Sequence, residues 1–322
     1  NQGFDNGERD PKVFWHAASK QWVMALWVQR DPGRIRFFTS DNLTDWKFAS
    51  DLMRDWAFEC MDVVFLPVDG DENNMKCVIY DASFDYEIGS FDGEQFTTES
   101  GPFQAGGGNF YAAQTFYNQP QGRAIQIGWM RGGPNAADLY DVPFNQQMSF
   151  PCELSLRDTD QGMRLFYQPI EEIQTLVEST HDKSDVDLPA GENLIADLAP
   201  LDLIDMTVEF DPGTATSLVF DLPGVQVTYD SATGTSTYTG VDNEGNSQIH
   251  TLLPNLKPRD GKVRLRFLVD RISLEAYAFD GEDFRAVYTS PNTAPKTNSI
   301  HAVGGTARIH VLKINRLNSI WK

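Results

Sequence analysis

The sequence contains few cysteines and few histidines, and both shortages exclude classes of site. Its three cysteines, Cys60, Cys77 and Cys152, are an odd set without C-x-x-C spacing, so they indicate neither a disulfide framework nor a zinc site. Its five histidines are too scattered to show metal-ligand spacing. We therefore predict that the chemistry uses no metal and no cofactor.

The sequence also lacks an excess of positive charge and a long apolar run. Its 26 Lys and Arg residues face 46 Asp and Glu residues, which gives a formal net charge of −20. Such a chain is poorly suited to nucleic acid, whose binding depends on positive charge, and is compatible with a neutral substrate such as a sugar. No apolar run approaches the roughly 20 residues of a membrane helix, so we expect no membrane partner.

The chain does contain a repeat. With 322 residues, 41% of them hydrophobic, it is long enough for two domains of ordinary size. Phe14, Phe65 and Phe116 recur every 51 residues, each in a β-branched and aromatic run that a polar turn separates from a second run. A period near 50 with about four short strands per unit is typical of β-propeller blades. A generic β-sandwich with chance recurrence is the alternative.

The repeat predicts that certain polar residues converge. The inner strands of propeller blades line a central channel, so equivalent positions meet there. Arg9, Cys60 and Tyr111 form such a set at 51-residue steps, and Asp10 and Glu59 adjoin two of its members. Glycoside cleavage requires an acid that protonates the leaving oxygen and carboxylates that face the cationic sugar. Each motif alone is equally consistent with carboxylates of turns and core edges.

The remaining sequence predicts a second β domain. Strand patterns after Pro143 supply the outer strands of a third blade, and apolar spacing after Pro169 predicts a short helix. We assign residues 1–168 to the propeller part and 169–185 to a linker helix that ends in a polar boundary stretch. Residues 186–322 contain alternating runs separated by Gly, Asp, Asn and Pro, which predicts a β-sandwich.

In their order along the chain, the motifs resemble glycoside hydrolase family 32, the invertase, inulinase and levanase group. The resemblance rests on Glu8–Trp15, Glu59–Asp62, Asn109–Phe116, Gln147–Leu156 and Leu265–Tyr277. It implies an all-β protein with a five-bladed β-propeller followed by a β-sandwich. About three of the five blades fit into this chain.

The resemblance also implies roles for single residues. Asp10 matches the family's transition-state stabiliser, which hydrogen-bonds the fructosyl ring, and Glu59 matches the general acid and base. Arg9 is expected to orient the carboxylates and the sugar. Its charge beside Asp10 would keep that carboxylate ionised, whereas Glu59, partly enclosed by aromatic residues, could hold a proton.

Further substrate-binding candidates follow from the same motifs. Asp62 and Tyr111 are two such candidates. For each, a purely structural role has equal weight: Asp62 as a blade-turn carboxylate and Tyr111 as a strand aromatic. Asn109 opens the later propeller motif and is also assigned to substrate binding. Trp129 is expected to be an aromatic residue of a blade core.

One family motif has no counterpart. The family's nucleophile is the Asp of a Trp-Met-Asn-Asp-Pro-Asn-Gly motif, which this sequence does not contain. A retaining mechanism needs such a carboxylate about 5 to 5.5 Å from the acid. We therefore expect the nucleophile and roughly two more blades, on the order of 100 residues, to lie upstream in the same gene or in a partner chain.

The resemblance implies a secreted or periplasmic glycosidase that cleaves terminal β-fructosidic bonds of fructans or sucrose with retention. A non-catalytic fructan-binding or structural remnant without the nucleophile is the alternative. An enzyme of a related five-bladed family that acts on arabinose-containing chains is a third reading, which the Glu-Cys motif disfavours.

Overall fold

The computed structural model describes residues 7–29, 33–119, 121–133, 143–241, 246–289 and 297–320. The chain divides into two compact units. One comprises residues 1–129 and 150–167, and the other comprises residues 130–149 and 168–322. No helix in the described ranges is long and apolar enough to span a membrane.

The strands of the first unit form three blades of four strands, in chain order within each blade, and the second and third blades are joined by a parallel pairing at Val68 and Leu156. The first blade consists of β1 (Glu8–His16), β2 (Gln21–Val28), β3 (Arg34–Ser40) and β4 (Lys47–Met53). The second consists of β5 (Asp62–Val68), β6 (Asp71–Tyr80), β7 (Asp85–Phe91) and β8 (Phe96–Gln104). The third consists of β9 (Phe110–Thr115), β10 (Ile125–Met130), β12 (Cys152–Thr159) and β13 (Gly162–Pro169), and the two-residue β11 (Gln147–Met148) belongs to the second unit. The predicted propeller blades are confirmed.

The core between the first two blades follows from the alternation of their strands. Phe14 on β1 is buried, and its ring lies 5.7 Å from that of Phe65 and 6.0 Å from that of Phe91. Because side chains alternate along a strand, every second residue of these runs points into this core. Phe116 departs from the repeat: it follows the end of β9 and is 57% exposed.

The second unit is a β-sandwich, as the alternating runs predict. One sheet has the order β14-β24-β15-β20-β21-β22, and the other has the order β19-β18-β17-β16-β23. Their bounds are β14 (Val177–Leu188), β15 (Ile204–Asp211), β16 (Ser217–Leu222), β17 (Val225–Asp230), β18 (Thr235–Val241), β19 (Ser247–Thr251), β20 (Val263–Asp270), β21 (Ser273–Ala278), β22 (Asp283–Tyr288), β23 (Ser299–Val303) and β24 (Ala307–Leu317). Phe220 of one sheet contacts Phe210 and Phe267 of the other, so the two sheets share one core.

The segment expected to be a linker contains less helix than its apolar spacing predicts. A 3₁₀ helix, η1, spans Glu171–Leu176, and a second one, η2 (Phe279–Gly281), follows β21. The polar stretch Ser179–Asp185, expected to be a boundary, lies within β14, which pairs along its length with β24. A polar edge strand of this kind lacks the apolar alternation that identifies strands in sequence.

Candidate active site

The site residues come from the ends of three neighbouring inner strands. Arg9 and Asp10 lie near the start of β1, and Tyr111 lies near the start of β9. Glu59 and Cys60 lie in the bend that precedes β5. The convergence expected from the 51-residue repeat is therefore present in the structure.

Both oxygens of the Glu59 carboxylate accept hydrogen bonds. Nε of Arg9 donates to Oε2 at 2.8 Å, and the hydroxyl of Tyr111 donates to Oε1 at 2.7 Å. The Glu59 side chain is about three-quarters buried, with 24% exposed. Because the two donors come from different blades, the carboxylate is oriented by both of its neighbours.

Asp10 is held by the peptide that follows Glu59. The amide of Cys60 donates to Oδ2 of Asp10 at 3.0 Å, and the Cys60 thiol donates to the same oxygen at 3.5 Å. Nε of Arg9 lies 3.6 Å from that oxygen, farther than from Glu59. The sequence predicts the cation beside Asp10. In the structure the Arg9 side chain extends across to the next blade and lies closer to Glu59.

The backbone around both carboxylates is unusual. Asp10 has a φ of 58° and Cys60 a φ of 54°, both in the left-handed region that costs L-residues on the order of 1 kcal/mol or more. The pairing of β1 with β2 shifts register between Arg9 and Lys12, which marks a β-bulge. Bulges redirect side chains next to active sites, and here the bulge brings the Asp10 carboxylate to the Cys60 amide.

Cys60 is a hydrogen-bond donor in this arrangement. Burial, followed by the nearby charge of Asp10, raises the pKa of its thiol to about 12. The thiol therefore keeps its proton at neutral pH and can donate it to Asp10. A protonated thiol is a poor nucleophile, so the geometry gives Cys60 a supporting part.

Asp62, for which substrate binding and a structural role had equal weight, lies in the protein interior. Its side chain is fully buried, and Nζ of Lys12 lies 2.8 Å from Oδ1. Oδ2 accepts from the Tyr80 hydroxyl at 2.5 Å and from the amide and hydroxyl of Thr115 at 2.6 and 2.8 Å. The amide of Val63 donates to Oδ1 at 2.7 Å. In the structure this carboxylate therefore joins neighbouring strands through buried hydrogen bonds and an ion pair.

Asn109 and Trp129 flank the site. Asn109 is half-buried in the turn before β9, two residues from Tyr111. Trp129, expected in a blade core, is 37% exposed, and its ring lies edge-on to that of Tyr111 with centroids 6.2 Å apart. Because the side chain is exposed, the expectation that Trp129 is a blade-core residue was wrong.

Two amide side chains of the site, Gln29 and Gln114, were not predicted from the sequence. Oε1 of Gln29 accepts from Arg9 Nη1 at 2.7 Å, and the Gly7 carbonyl accepts from the same nitrogen at 3.0 Å. Nε2 of Gln114 donates to the Cys60 carbonyl at 3.0 Å. In sequence they resemble ordinary polar strand residues, because nothing local indicates their partners.

Metal chemistry has no candidate centre in the part of the chain that the structure describes. No group of three or more His, Cys, Asp or Glu side chains there lies close enough to hold an ion. The positive charge of the site comes from the guanidinium of Arg9.

Comparison with known proteins decides the family. The family model described as "Glycosyl hydrolases family 32 N-terminal domain" matches residues 2–169, just over half of the chain. The chain belongs to glycoside hydrolase family 32. The matched residues include all of the site residues described above.

Curated relatives of this family 32 chain match it along almost its whole length. It is 30% identical to a levanase of Bacillus subtilis (strain 168) over 97% of this chain and 51% of that protein. It is 25% identical to an extracellular exo-inulinase of Aspergillus ficuum over 97% of this chain and 65% of that protein. The chain thus spans about half to two-thirds of the length of these relatives.

Solved structures agree on the fold. The exo-inulinase from Aspergillus awamori superimposes with a TM-score of 0.80 at 23% identity, covering 98% of this chain and 68% of that one. A fructofuranosidase from Schwanniomyces occidentalis complexed with fructose has a TM-score of 0.80 at 21% identity, covering 98% and 71%. At 21 to 23% sequence identity, this structural similarity establishes the fold alone.

Proposed function

We propose that this chain carries the acid/base part of the active site of a secreted fructosidase, which releases fructose from chain ends of fructans or from sucrose. The carrying observation is the convergence of Arg9 and Tyr111 on Glu59 from three inner strands. Family membership supports the reaction class, and the levanase and extracellular exo-inulinase relatives support the substrate class and secretion.

Glu59 acts as the general acid and then as the general base. Its protonated form gives a proton to the glycosidic oxygen as the bond to the anomeric carbon breaks, and its carboxylate later takes a proton from the attacking water. Tyr111 and Arg9 hold one oxygen each, so the carboxyl group is oriented before substrate arrives.

Asp10 binds the fructosyl ring and stabilises its positive charge. Among the described residues, the contacts to Asp10 all use Oδ2. Oδ1 can therefore accept hydrogen bonds from sugar hydroxyls. A carboxylate fixed by the Cys60 amide is already oriented for the oxocarbenium-like transition state, which lowers the cost of reorganisation.

Retention requires a third carboxylate. It must attack the anomeric carbon from about 5 to 5.5 Å away from the acid. Because Asp10 and Glu59 have other roles, the proposal assigns attack to a residue outside this pair. A non-catalytic fructan-binding protein is the second candidate function, and the product and binding measurements below distinguish it from the first.

The test uses the protein as its gene encodes it, incubated with levan, inulin and sucrose while released fructose is measured. Glu59→Gln is expected to lower kcat by about 10² to 10⁴, the usual share of general acid–base catalysis. The control is Glu153→Gln, which removes an exposed carboxylate paired with Arg123 in the third blade. Wild-type turnover in Glu59→Gln would remove Glu59 from the mechanism.

Two further measurements separate the candidate functions. Proton NMR of the first product should show β-fructofuranose, since a double displacement retains configuration. The α-anomer would contradict retention. Calorimetric binding of levan by a wild-type protein that releases no fructose would favour the non-catalytic candidate.

A further inference from the structure

A buried carboxylate outside the proposed mechanism lies directly behind Glu59. Asp81 follows the end of β6 and is buried. Its Oδ1 accepts from the amides of Ser83 and Asp85 at 2.8 and 3.1 Å, and its Oδ2 accepts from the amide of Phe58 at 3.1 Å. All three of these donors are main-chain groups.

Two of these bonds are local, and the third is not. Ser83 and Asp85 belong to the turn that Asp81 opens, and an Asp at the start of a turn commonly accepts from amides two to four residues on. The bond to Phe58 spans 23 residues and reaches the amide of the residue immediately before Glu59. Turn formation alone does not require it.

The next residue, Ala82, continues the connection on both sides. Its amide donates to the Glu59 carbonyl at 3.0 Å, and its carbonyl accepts from the Ala112 amide at 2.9 Å. Ala112 follows Tyr111, whose hydroxyl holds the Glu59 carboxylate. The dipeptide Asp81-Ala82 therefore fixes the main chain of the acid and that of its hydroxyl partner.

The turn that contains this dipeptide is itself immobilised by packing. Phe84 is fully buried, with its ring stacked on that of Tyr80 at 5.6 Å and 4.5 Å from that of Phe110. Phe110 immediately precedes Tyr111. Packing of this density restricts side-chain and backbone movement, so the turn can transmit its position to both inner strands.

Burial of this carboxylate has a free-energy cost. Burial raises the pKa of Asp81 to about 6, and the nearby carboxylate of Asp85 acts in the same direction while the amide donors oppose it. An ionised group in such a place costs free energy unless it is well paired. The cost is understandable if the carboxylate serves the geometry of the adjacent acid.

We propose that Asp81 is a positioning residue, which fixes the Phe58-Glu59-Cys60 main chain so that the Glu59 carboxyl group lies between Arg9 and Tyr111. Its consequence for catalysis rests on the proposed function. The positional claim itself does not, because the geometry of the segment can be measured without turnover.

The thiol of Cys60 provides that measurement. Cys60 is half-buried beside Glu59, whereas Cys77 and Cys152 are buried, and all three are free. Asp81→Ala is expected to release the segment and raise the rate of Cys60 labelling by a disulfide reagent about 10-fold or more, as local opening does. Asp81→Asn keeps one acceptor oxygen and should label at an intermediate rate.

The matched control is Asp92→Ala. Asp92 also opens a turn and accepts from the amides of Glu94 and Gln95 at 2.9 and 2.7 Å, but it is exposed and lies at the β7–β8 connection. Its variant should label at the wild-type rate. Equal labelling rates in the Asp81 and Asp92 variants, or rapid labelling of three thiols per chain instead of one, would overturn the positional claim.

Kinetics then test the consequence for catalysis. In folded Asp81→Ala, kcat should fall by about 10- to 100-fold with KM nearly unchanged, because a misplaced acid affects the transition state more than binding. Asp81→Asn should recover part of this loss. Faster labelling with wild-type kcat would overturn the catalytic consequence. A wild-type protein that releases no fructose refutes the proposed function, while the labelling rates still decide the position of Asp81.

Discussion

Nε of Arg9 lies 2.8 Å from Oε2 of Glu59, so the cation of the first blade is bonded to the carboxylate of the second. An adjacent guanidinium favours the ionised form of a carboxylate. General acid catalysis needs the protonated form. In the proposed mechanism, the ion pair therefore opposes the protonation that Glu59 needs as a general acid.

Removal of this cation should change the pH profile. In Arg9→Met the alkaline limb of the kcat/KM profile is expected to move to higher pH, since Glu59 no longer has an opposite charge beside it. The maximum of kcat/KM should fall, because an orienting donor is lost. The measurement is fructose release across the pH range.

The control for Arg9→Met is Arg123→Met, which breaks the ion pair with Glu153 in the third blade. Its profile should coincide with that of the wild type. An unmoved alkaline limb in Arg9→Met would show that the pair with Glu59 does not govern the acid's proton.

Tyr111→Phe removes the second donor to Glu59 with little change in shape. Hydrogen bonds to charged groups contribute about 1.5 to 3 kcal/mol, which corresponds to a loss of about 10- to 100-fold in kcat/KM. Tyr117→Phe is the control, because the Tyr117 hydroxyl accepts from the Trp15 amide beyond the end of β9. Equal effects of the two substitutions would argue against a role for the Tyr111 hydroxyl.

Lys12→Met should destabilise the protein strongly. It leaves the fully buried Asp62 without its cation, and such a loss costs about 3 to 5 kcal/mol. Lys76→Met breaks the more exposed pair with Glu99 and should cost about 0 to 1 kcal/mol. Urea denaturation measures the free energy of unfolding of each variant. Similar losses in the two variants would contradict a strong contribution of the buried Lys12–Asp62 pair to stability.

Asp81 also predicts a dependence of stability on pH. Its pKa is raised from 3.8 to about 6 by burial, so the folded state binds this proton more tightly than the unfolded state does. Its contribution is therefore fully present below pH 3.8 and is lost as pH rises through about 6. Asp81→Asn lacks this titration.

The measurement is the free energy of unfolding of wild type minus that of Asp81→Asn between about pH 4 and pH 7. The difference should fall with rising pH. Two pKa units correspond to roughly 3 kcal/mol at most. A difference that stays level over this range would mean that the carboxylate is ionised throughout.

The sequence predicted the blades and the meeting of Arg9, Cys60 and Tyr111, because strand alternation and a fixed repeat are local features of the chain. It also placed Glu59 and Asp10 next to each other. Which carboxylate the guanidinium prefers was not predictable, because this depends on side-chain direction at a bulge. No sequence pattern encodes that direction.

The burial of single side chains was also not predictable from the sequence. Trp129, expected in a blade core, is 37% exposed, and the full burial of Asp62 did not follow from its motif. Asp62 is enclosed because donors from three inner strands meet on it. Such convergence joins positions about 50 residues apart, and pattern reasoning over short windows does not detect it.

The contacts of Asp62 also bear on how the protein unfolds. Lys12 of the first blade forms an ion pair with Asp62 of the second and donates a hydrogen bond to the Thr115 carbonyl of the third. The amide of Thr115 in turn donates to Asp62. Repeat proteins whose units touch only their neighbours can lose one unit at a time. Here the buried contacts of Lys12, Asp62 and Thr115 connect all three blades, so we expect the blades to unfold in a single cooperative step. The amides of their inner strands should then exchange hydrogen with similar free energies of opening.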